Sequence, residues 1–412
     1  MNLLESNKIK KTNEKLNLYI DGRLQNLQVY EIELDALYYN DKNDRVLTWS
    51  STADSNELTA LKENNIEAYN NKFETWIRES NVARLNSTKE NIKTIGQIKP
   101  GVVLADGRII DGNRRFTCLR MLQRENAAVP NKYKFKAAIL DLNINSDNKR
   151  IKLLELNIQL GEDEKVGYSP IETMLGAYKD IVLNEIITID EYSTAANISR
   201  AEIKKRIENA EFLCELLSFI NADGQYYIAR NNAWHDPILE CVKILKFAKN
   251  NGLNEEEQES LKKILFMNLL TNQSGDKTRY MRQFSNVVKT PNYARELIEN
   301  EHQYLDKTLD ILEKHLSSDK KLEQPEDFFK ELAFTNIDSE LNYIVKSIVE
   351  KSSYSQEKDK PLLLIQDSIK KINEIDMDFI YLCDKETKKA LQESIDILLE
   401  KTTELKLKLI KK

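Results

Sequence analysis

The chain has 412 residues, of which 61 are Lys or Arg and 67 are Asp or Glu, so its formal net charge is −6. A charge this small favours no class of partner and argues against a protein whose whole surface grips nucleic acid. Hydrophobic residues make up 41% and charged residues 31%, as in globular proteins long enough for several domains. Because Gly and Pro number only 11 and 7, we expect helix to dominate.

Cysteine usage and hydropathy exclude further classes. The four cysteines are dispersed and form no CxxC pair, which excludes a disulfide framework and a zinc site of that type. No run of about 18 apolar residues occurs, and the polar N-terminus lacks the apolar core of a signal peptide. We therefore expect a cytoplasmic protein with no membrane segment and no bound metal.

The first 95 residues mix strand and helix signals. Residues 1–27 are polar and rich in Lys and Asn, so we expect a flexible lead-in with one strand at 16–20. Residues 29–34 alternate apolar and polar side chains like a strand. Apolar residues at helical spacing predict one or two helices between about 50 and 90: Leu58, Leu61, Ile66, Tyr69, Phe73 and Trp76.

The most informative stretch runs from Ile95 to Leu122. It predicts a strand at 102–104, a turn at Asp106 and Gly107, a strand at 108–110 and a helix that opens at Asn113. A further strand is predicted at 134–140. The expected local structure is therefore a short hairpin that leads directly into a helix.

Several features of a phosphate site coincide where that helix begins. Gly112 lets a ligand approach the backbone, the first helical turn offers free N–H groups, and Arg114 and Arg115 add two guanidinium groups. Residues 91–150 hold 12 Lys or Arg and 5 Asp or Glu, a net charge of +7, which favours an anionic ligand here. The alternative is an ordinary strand-to-helix turn with solvated arginines.

Residues 188–212 predict a helix at 190–196, a turn at Asn197 and a second helix capped by Ser199. The apolar residues of the second helix face inward, whereas most of its basic residues face outward. A helix-turn-helix that binds DNA is one interpretation, and the residues expected to contact DNA are Ser199, Arg200, Lys204 and Lys205. The alternative is a pair of packed helices with solvated charges.

Helical periodicity continues almost to the C-terminus. Residues 351–361 are polar and end in proline, which indicates a linker. The tail, 362–412, is amphipathic and indicates a helical pair or an oligomerisation element. We accordingly expect a homo-oligomer.

The stretch around Gly112 resembles the N-terminal domain of the ParB/sulfiredoxin superfamily. That family carries a segment with a Gly, a Pro and a hydrophobic strand, followed by a box of the form G-x-Y-x-I-I-x-G-x-R-R. The matching positions in this chain are Ile92, Gly96, Gln97, Pro100, Val102, Val103, Gly107, Ile109, Ile110, Gly112, Arg114, Arg115 and Phe116. Upstream, Arg45 stands where the family has an arginine.

The resemblance continues in residues 156–160 (LNIQL), which are similar to the family's E-N-x-x-R box, and in 169–172 (SPIE), which start its next helix. In ParB proteins the box helps to hold nucleotide phosphates and Mg²⁺. Leu156 and Leu160 replace the Glu and the Arg, and a leucine offers Mg²⁺ no oxygen ligand. The resemblance implies that CTP or another nucleotide, with Mg²⁺, is held by Arg45, Gly112, Asn113, Arg114, Arg115 and Asn157.

The resemblance implies a ParB/sulfiredoxin-like α+β domain at 28–145 with a helical insertion at about 50–90. A helical domain with the helix-turn-helix would follow at 146–235, where the family places its DNA-reading unit, and an all-helical region at 236–412. The implied function is that of a ParB-like DNA-binding protein, regulated by a nucleotide, in plasmid or phage partition or in transcriptional control.

Two alternatives stay open. One is an enzyme on the same fold: a nucleotide-dependent phosphotransferase, a weak CTPase or a ParB-like nuclease, with Asp111 or Glu155 as the nearby carboxylate. The other is a scaffold that binds a partner protein through its helical C-terminal half.

Overall fold

A six-stranded mixed β-sheet organises the first third of the chain. A computed structural model describes residues 2–41, 43, 46–160, 169–271, 275–375, 380–381 and 383–410. The strands are β1 (Ile9–Ile20), β2 (Arg23–Glu33), β3 (Tyr38–Tyr39), β4 (Gly101–Leu104), β5 (Arg108–Asp111) and β6 (Lys134–Leu140). Their order across the sheet is β1-β2-β6-β4-β5-β3. The pairs β3–β5 and β4–β6 are parallel and the others antiparallel, so the strands predicted at 102–104, 108–110 and 134–140 are confirmed.

The N-terminal residues form a long β-hairpin. β1 pairs with β2 from Ile9 opposite Ile32 to Ile20 opposite Arg23. Two residues with left-handed φ angles, Asp21 and Gly22, close the hairpin. The expectation of a flexible lead-in over 1–27 is therefore wrong for residues 9–27. The strand signal is weak there because the polar side chains of β1 lie on the exposed side of the sheet.

Six helices accompany the sheet. They are α1 (Leu47–Ser50), α2 (Ser55–Asn64), α3 (Ile66–Ser80), α4 (Val82–Ile95), α5 (Asn113–Glu125) and α6 (Asn148–Leu160). The helices predicted between about 50 and 90 are confirmed, as is the helix that opens at Asn113. Asparagine and aspartate side chains cap three of them, because a short polar side chain can accept a hydrogen bond from the first helical turn.

The sheet carries a hydrophobic core on each face. On one face, Phe116 and Leu122 of α5 pack with Val103, Ile109 and Phe135. On the other face, a second set joins α6 and the hairpin to the sheet: Leu18, Ile20, Val102, Leu104, Ile110, Leu140, Ile151 and Leu154. Helices α5 and α6 consequently lie on opposite faces of the sheet, as the alternation of side chains along β4 and β5 requires.

The described remainder is mostly helical. It comprises α7 (Pro170–Tyr178), a π-helical segment (Lys179–Leu183), α8 (Ile189–Ala196), α9 (Arg200–Phe219), α10 (Tyr227–Asn231), α11 (His235–Asn250), α12 (Glu255–Thr271), α13 (Lys277–Val287), α14 (Pro291–Lys314), α15 (Pro325–Phe334), α16 (Ile337–Asn373) and α17 (Lys385–Ile410). The linker predicted at 351–361 is wrong, because these residues lie inside α16.

The chain divides into two compact units, Met1–Lys346 and Ser347–Lys412. The domain boundaries predicted at 145 and 235 stay predictions. Within the first unit, Thr48 of α1 donates a buried hydrogen bond to Glu172 at 2.9 Å, and the Arg230 guanidinium lies 3.5 Å from the centre of the Trp49 ring. Helix α1 thereby joins the sheet region to α7 and α10 within the first unit.

In the second unit, the larger apolar side chains of α17 are exposed. Ile395, Leu398 and Leu405 are 43%, 40% and 49% accessible to solvent. The expected role of the tail in oligomerisation stays a prediction. Among the helices that the structure describes, none is both long enough and apolar enough to cross a membrane.

Candidate functional site

The corner between β5 and α5 holds four of the predicted phosphate-binding residues. Gly112 follows the last residue of β5 and has a φ angle of 104°, which favours glycine. Its carbonyl accepts the first hydrogen bond of α5, from the Phe116 N–H at 2.9 Å. A Cβ atom at this position would lie 2.7 Å from the Phe135 ring, so glycine is also required by packing.

The first turn of α5 concentrates positive charge. Gly112 provides no side-chain cap, and the turn contains two arginines and no acidic residue. Free N–H groups at a helix N-terminus already form a positive dipole end, where cationic side chains are unfavourable. An anion bound at this turn would offset both the free N–H groups and the arginines.

The two arginines differ in their surroundings. Arg115 forms an ion pair with Asp111 at 2.6 Å, and both side chains are about four-fifths buried. Arg114 is half-buried, and its charge opposes the effect of burial on the Cys118 thiol, whose pKa burial raises to about 12. Cys118 donates a hydrogen bond to the Leu85 carbonyl on α4, so Arg114 lies on the α4 side of α5. An incoming anion would compete with Asp111 for Arg115.

Asn113 contributes a hydrogen-bond acceptor beside this turn. Its side-chain Oδ1 is buried and has no hydrogen-bond partner in the described part of the chain. A buried amide oxygen without a donor costs about 1–3 kcal/mol. A ligand that carries a hydroxyl or amino group next to its phosphate would remove that cost.

The other predicted nucleotide-binding residues lie elsewhere. Asn157 belongs to α6, on the sheet face opposite α5, and lines a cavity of about 400 Å³ between the hairpin tip, α6 and α8. The residues lining that cavity include Tyr19, Arg150 and Thr194, and none belongs to α5. Arg45 lies outside the described residues. The structure thus groups Gly112, Asn113, Arg114 and Arg115, and places Asn157 apart from them.

Helices α8 and α9 form the predicted helical pair. Between them Asn197 adopts a left-handed conformation with φ 52°, and Ser193 donates a hydrogen bond to the Ile198 carbonyl at 2.7 Å. The Ser199 hydroxyl caps α9 by accepting a hydrogen bond from the Glu202 N–H. Ile203 is buried against α8. The turn is therefore held by two serine side chains and one left-handed asparagine.

The basic residues at the start of α9 fall into two groups. Arg200 pairs with Asp190 at 2.7 Å, and Arg206 pairs with Glu202 at 3.3 Å. Lys204 and Lys205 are exposed and form no ion pair with any residue that the structure describes. Two consecutive lysines on one exposed turn are therefore free to meet a phosphate backbone.

A further set of polar residues was not predicted as a site. Asn40, Lys152, Glu155 and Asp180 are buried around a cavity of about 480 Å³. Asn40 is 115 residues from Glu155, to which it donates a hydrogen bond at 2.6 Å. Only Glu155 was considered from the sequence, as a catalytic carboxylate near Arg115. Glu155 instead lies near the start of β5. Asn40, which donates to Glu155, also accepts a hydrogen bond from Arg108, the first residue of β5.

Comparisons with known proteins were made for the whole chain, and they include a likeness to a solved structure. No family model matches the chain, and no curated protein matches it. A solved structure of a Pnob8-like ParB-N domain aligns with 71% of this chain and 98% of its own, at 11% identity and a TM-score of 0.31. Among the described residues, no group of three or more His, Cys, Asp or Glu side chains is arranged to hold a metal ion.

Proposed function

We propose that this chain is a ParB-like DNA-binding protein that contacts the DNA backbone through α9. The observation that carries the proposal is the exposed pair Lys204 and Lys205, which follows a capped turn and has no neutralising carboxylate among the described residues. Affinity for DNA comes largely from such contacts, since each one releases a condensed counterion. The assignment to the ParB family rests on residues 92–118 and 155–172, which resemble that family.

The turn between α8 and α9 supports this role geometrically. Asn197 and Ser199 fix the direction in which α9 leaves α8, so its first turns project as one rigid element. A rigid helix that presents its N-terminal turns is the arrangement by which helix-turn-helix proteins enter the major groove. Arg200 and Ser199 lie on the first turn and would contact the flanking phosphates.

The test is the affinity of the full chain for duplex DNA, measured by fluorescence anisotropy over a series of salt concentrations. Lys204→Glu with Lys205→Glu should weaken binding by at least about 100-fold at 0.1 M salt and flatten its salt dependence. A matched control is Lys388→Glu with Lys389→Glu, which reverses two consecutive exposed lysines of α17. Unchanged affinity in the α9 variant, or equal losses in both variants, would refute the assignment of α9.

A second activity is favoured by the first turn of α5. We infer that this turn binds a phosphate group, either of a nucleotide such as CTP or of nucleic acid, because its first turn has no side-chain cap, no acidic residue and two arginines. Calorimetric titration with CTP, ATP and GTP in the presence of Mg²⁺ tests it. Arg114→Ala with Arg115→Ala should abolish the heat of binding, whereas Arg84→Ala, on a different helix, should leave it unchanged. Absence of heat with every nucleotide would leave the DNA backbone as the ligand of this turn.

A further inference from the structure

One face of α17 carries an apolar stripe with the spacing of a coiled coil. Two rows of residues, each with a spacing of seven, fill the a and d positions of consecutive heptads: Ile395, Thr402 and Leu409 at a, and Leu391, Leu398 and Leu405 at d. We call these six residues the α17 seam. Leu391 is partly exposed, and the other four apolar members are at least 40% exposed. The seam is therefore open to a partner helix.

The residue types in the seam indicate how many helices it fits. Ile395 and Thr402, which fill two of the three a positions, are β-branched, and every d position is leucine. β-Branched residues at a with leucine at d favour a parallel pair of helices over assemblies of three or four. A single partner helix would therefore cover the seam.

The charged residues beside the seam are all lysines. They occupy the flanking positions e and g: Lys385, Lys401, Lys406 and Lys408. The acidic residues of α17 all occupy the outward positions b, c and f: Glu386, Glu393, Asp396, Glu400 and Glu404. Both edges of the seam are consequently basic, whereas the carboxylates lie on the other side of the helix.

The lysines at the edges are available to a partner. Lys406 and Lys408 are exposed and form no ion pair with any residue that the structure describes. Lys401 lies 3.3 Å from Glu404, three residues further along the helix, and both side chains are more than half exposed. An exposed ion pair of this kind contributes little to stability, so Lys401 can exchange Glu404 for a carboxylate of a partner.

These lysines disfavour a second copy of this chain as the partner. In a parallel coiled coil, a residue at g faces position e of the next heptad in the other helix, so Lys401 of one copy would face Lys406 of the other. In an antiparallel pair with the seams in register, g faces g, and Lys401 would meet Lys401 of the other copy. Like charges at these positions select against self-pairing.

The end of α16 does not supply the missing charge either. It carries exposed isoleucines at a similar spacing, among them Ile365, Ile369 and Ile372. The positions that flank them between 366 and 373 are Gln366, Ser368 and Asn373, none of which is charged. Pairing of this segment with α17 would leave the lysines of the seam without carboxylates.

We propose that α17 binds a partner protein through a two-stranded coiled coil, in which the partner contributes an acidic amphipathic helix. That helix would carry apolar residues at a and d and Asp or Glu at e and g, so that its carboxylates face Lys401, Lys406 and Lys408. The proposal does not depend on DNA binding by α9 or on phosphate binding by α5.

A membrane surface fits α17 less well than an acidic helix. Helices that lie on membranes have a strongly basic polar face and aromatic residues on the apolar face. α17 has six lysines and five acidic residues and contains no Phe, Trp or Tyr. Its polar face is therefore nearly neutral and its apolar face is purely aliphatic.

Two labelled peptides, each about four heptads long, test the proposal against the full chain by fluorescence anisotropy. Both have Ile at a and Leu at d, and they differ only in carrying Glu or Lys at e and g. The acidic peptide should bind at least about 10-fold more tightly than the basic one. Equal affinities, a preference for the basic peptide, or no binding of either peptide would overturn the proposal.

Charge-reversal variants test the edges of the seam. Lys406→Glu with Lys408→Glu should reverse the preference, so that the basic peptide binds more tightly. Lys370→Glu with Lys371→Glu, in exposed positions of α16, makes the same change in net charge and should keep the preference for the acidic peptide. Equal effects of the two double variants would show that only the net charge matters and would overturn the proposal.

Substitutions in the seam locate the binding. Leu398→Asp, at a d position, should abolish binding of the acidic peptide, whereas Leu407→Asp, at an exposed outward position, should leave it unchanged. Sedimentation of the chain alone, and with vesicles of phosphatidylcholine and phosphatidylserine, tests the other occupants. A homodimer or a vesicle complex that Leu398→Asp abolishes and Leu407→Asp does not would assign the seam to a second copy or to a membrane. Either result would overturn the proposal.

Discussion

Arg115 and Asp111 form an ion pair across the junction of β5 and α5, with 2.6 Å between Nη2 and Oδ2. Asp111 thus neutralises one of the two guanidinium groups proposed to bind phosphate. In Asp111→Asn this competition is removed, and we expect phosphate or nucleotide affinity to rise by about 3–10-fold. Calorimetric titration with CTP, ATP and GTP measures this affinity. Asp106→Asn is the control, because Asp106 precedes β5 whereas Asp111 is its last residue. A lower affinity in Asp111→Asn would indicate that Asp111 orients Arg115 instead of competing for it.

Gly112 is constrained by both its backbone and its neighbours. In Gly112→Ala the left-handed φ and the approach to the Phe135 ring should together lower the free energy of unfolding by about 2–4 kcal/mol. Gly224→Ala is the matched control, because Gly224 also has a positive φ but no atom within 4 Å of a new Cβ. That control should lose only about 1 kcal/mol. Equal urea midpoints for the two variants would show that the Phe135 contact is unimportant.

Glu301 is a buried carboxyl in the helical part of the first unit. One of its oxygens accepts a hydrogen bond from Asn268 at 2.7 Å, and the other has no hydrogen-bond partner among the described residues. Tyr280 donates to the Asn268 oxygen at 2.6 Å and so orients the amide toward Glu301. Burial raises the pKa of Glu301 to about 8, although the Asn268 hydrogen bond opposes this shift.

The sign of the resulting pH dependence follows from linkage. Between the unfolded pKa of 4.5 and the folded pKa of about 8, only the folded state holds the proton, so stability falls as pH rises through this range. Glu301→Gln removes the titrating group and should be more stable than the native chain at pH 9 by on the order of 3–5 kcal/mol. This difference in stability between Glu301→Gln and the native chain should become smaller towards pH 5. Thermal unfolding of both proteins, measured from pH 5 to pH 9, checks this prediction. A difference in stability that does not change with pH would contradict a raised pKa of Glu301.

Lys277, at the start of α13, is a basic residue whose pKa is also shifted by burial, as that of Glu301 is. Its ammonium donates a hydrogen bond to the Leu269 carbonyl at 3.0 Å and lies 5.9 Å from the centre of the Trp234 ring. Burial lowers the pKa of Lys277 to about 8. The folded state bears the cost of a buried charge below pH 8, and stability recovers as pH rises from about 8 to 10.5.

Lys277→Met should therefore stabilise the chain at pH 7, by about 1–3 kcal/mol after the lost hydrogen bond is counted. The advantage should decrease at pH 10, where the native lysine is neutral in the folded state. Urea unfolding at the two pH values measures it. Lys263→Met, which removes an exposed lysine of α12, is the control and should show no such difference between the two pH values. A larger advantage at pH 10 than at pH 7 would contradict the assignment.

The local structure around the candidate sites could be predicted from the sequence because its signals are local. Gly112 requires a positive φ, and its position between an apolar strand and a periodic helix locates the corner. Ser199 and Asn197 likewise mark the helix start and the turn before it. Each signal lies within a few residues of the feature that it predicts.

The features that could not be predicted depend on distant contacts or on competing signals. Arg108 binds Asn40 across 68 residues, and Asn40 binds Glu155 across 115, so no spacing in the sequence reveals their shared cavity. The proline that suggested a linker near residue 361 is accommodated inside α16. The charge of Arg115 was visible in the sequence, but its pairing with Asp111 depends on how β5 meets α5.

Hydrogen–deuterium exchange of the full chain with and without duplex DNA tests DNA binding by α9 most directly. We predict that DNA slows exchange in peptides covering residues 197–206, and that peptides of α17 are unaffected. The Lys204→Glu and Lys205→Glu double variant should show no such protection at the same DNA concentration. Protection that appears elsewhere and leaves residues 197–206 unchanged, under conditions where DNA is bound, would contradict the account.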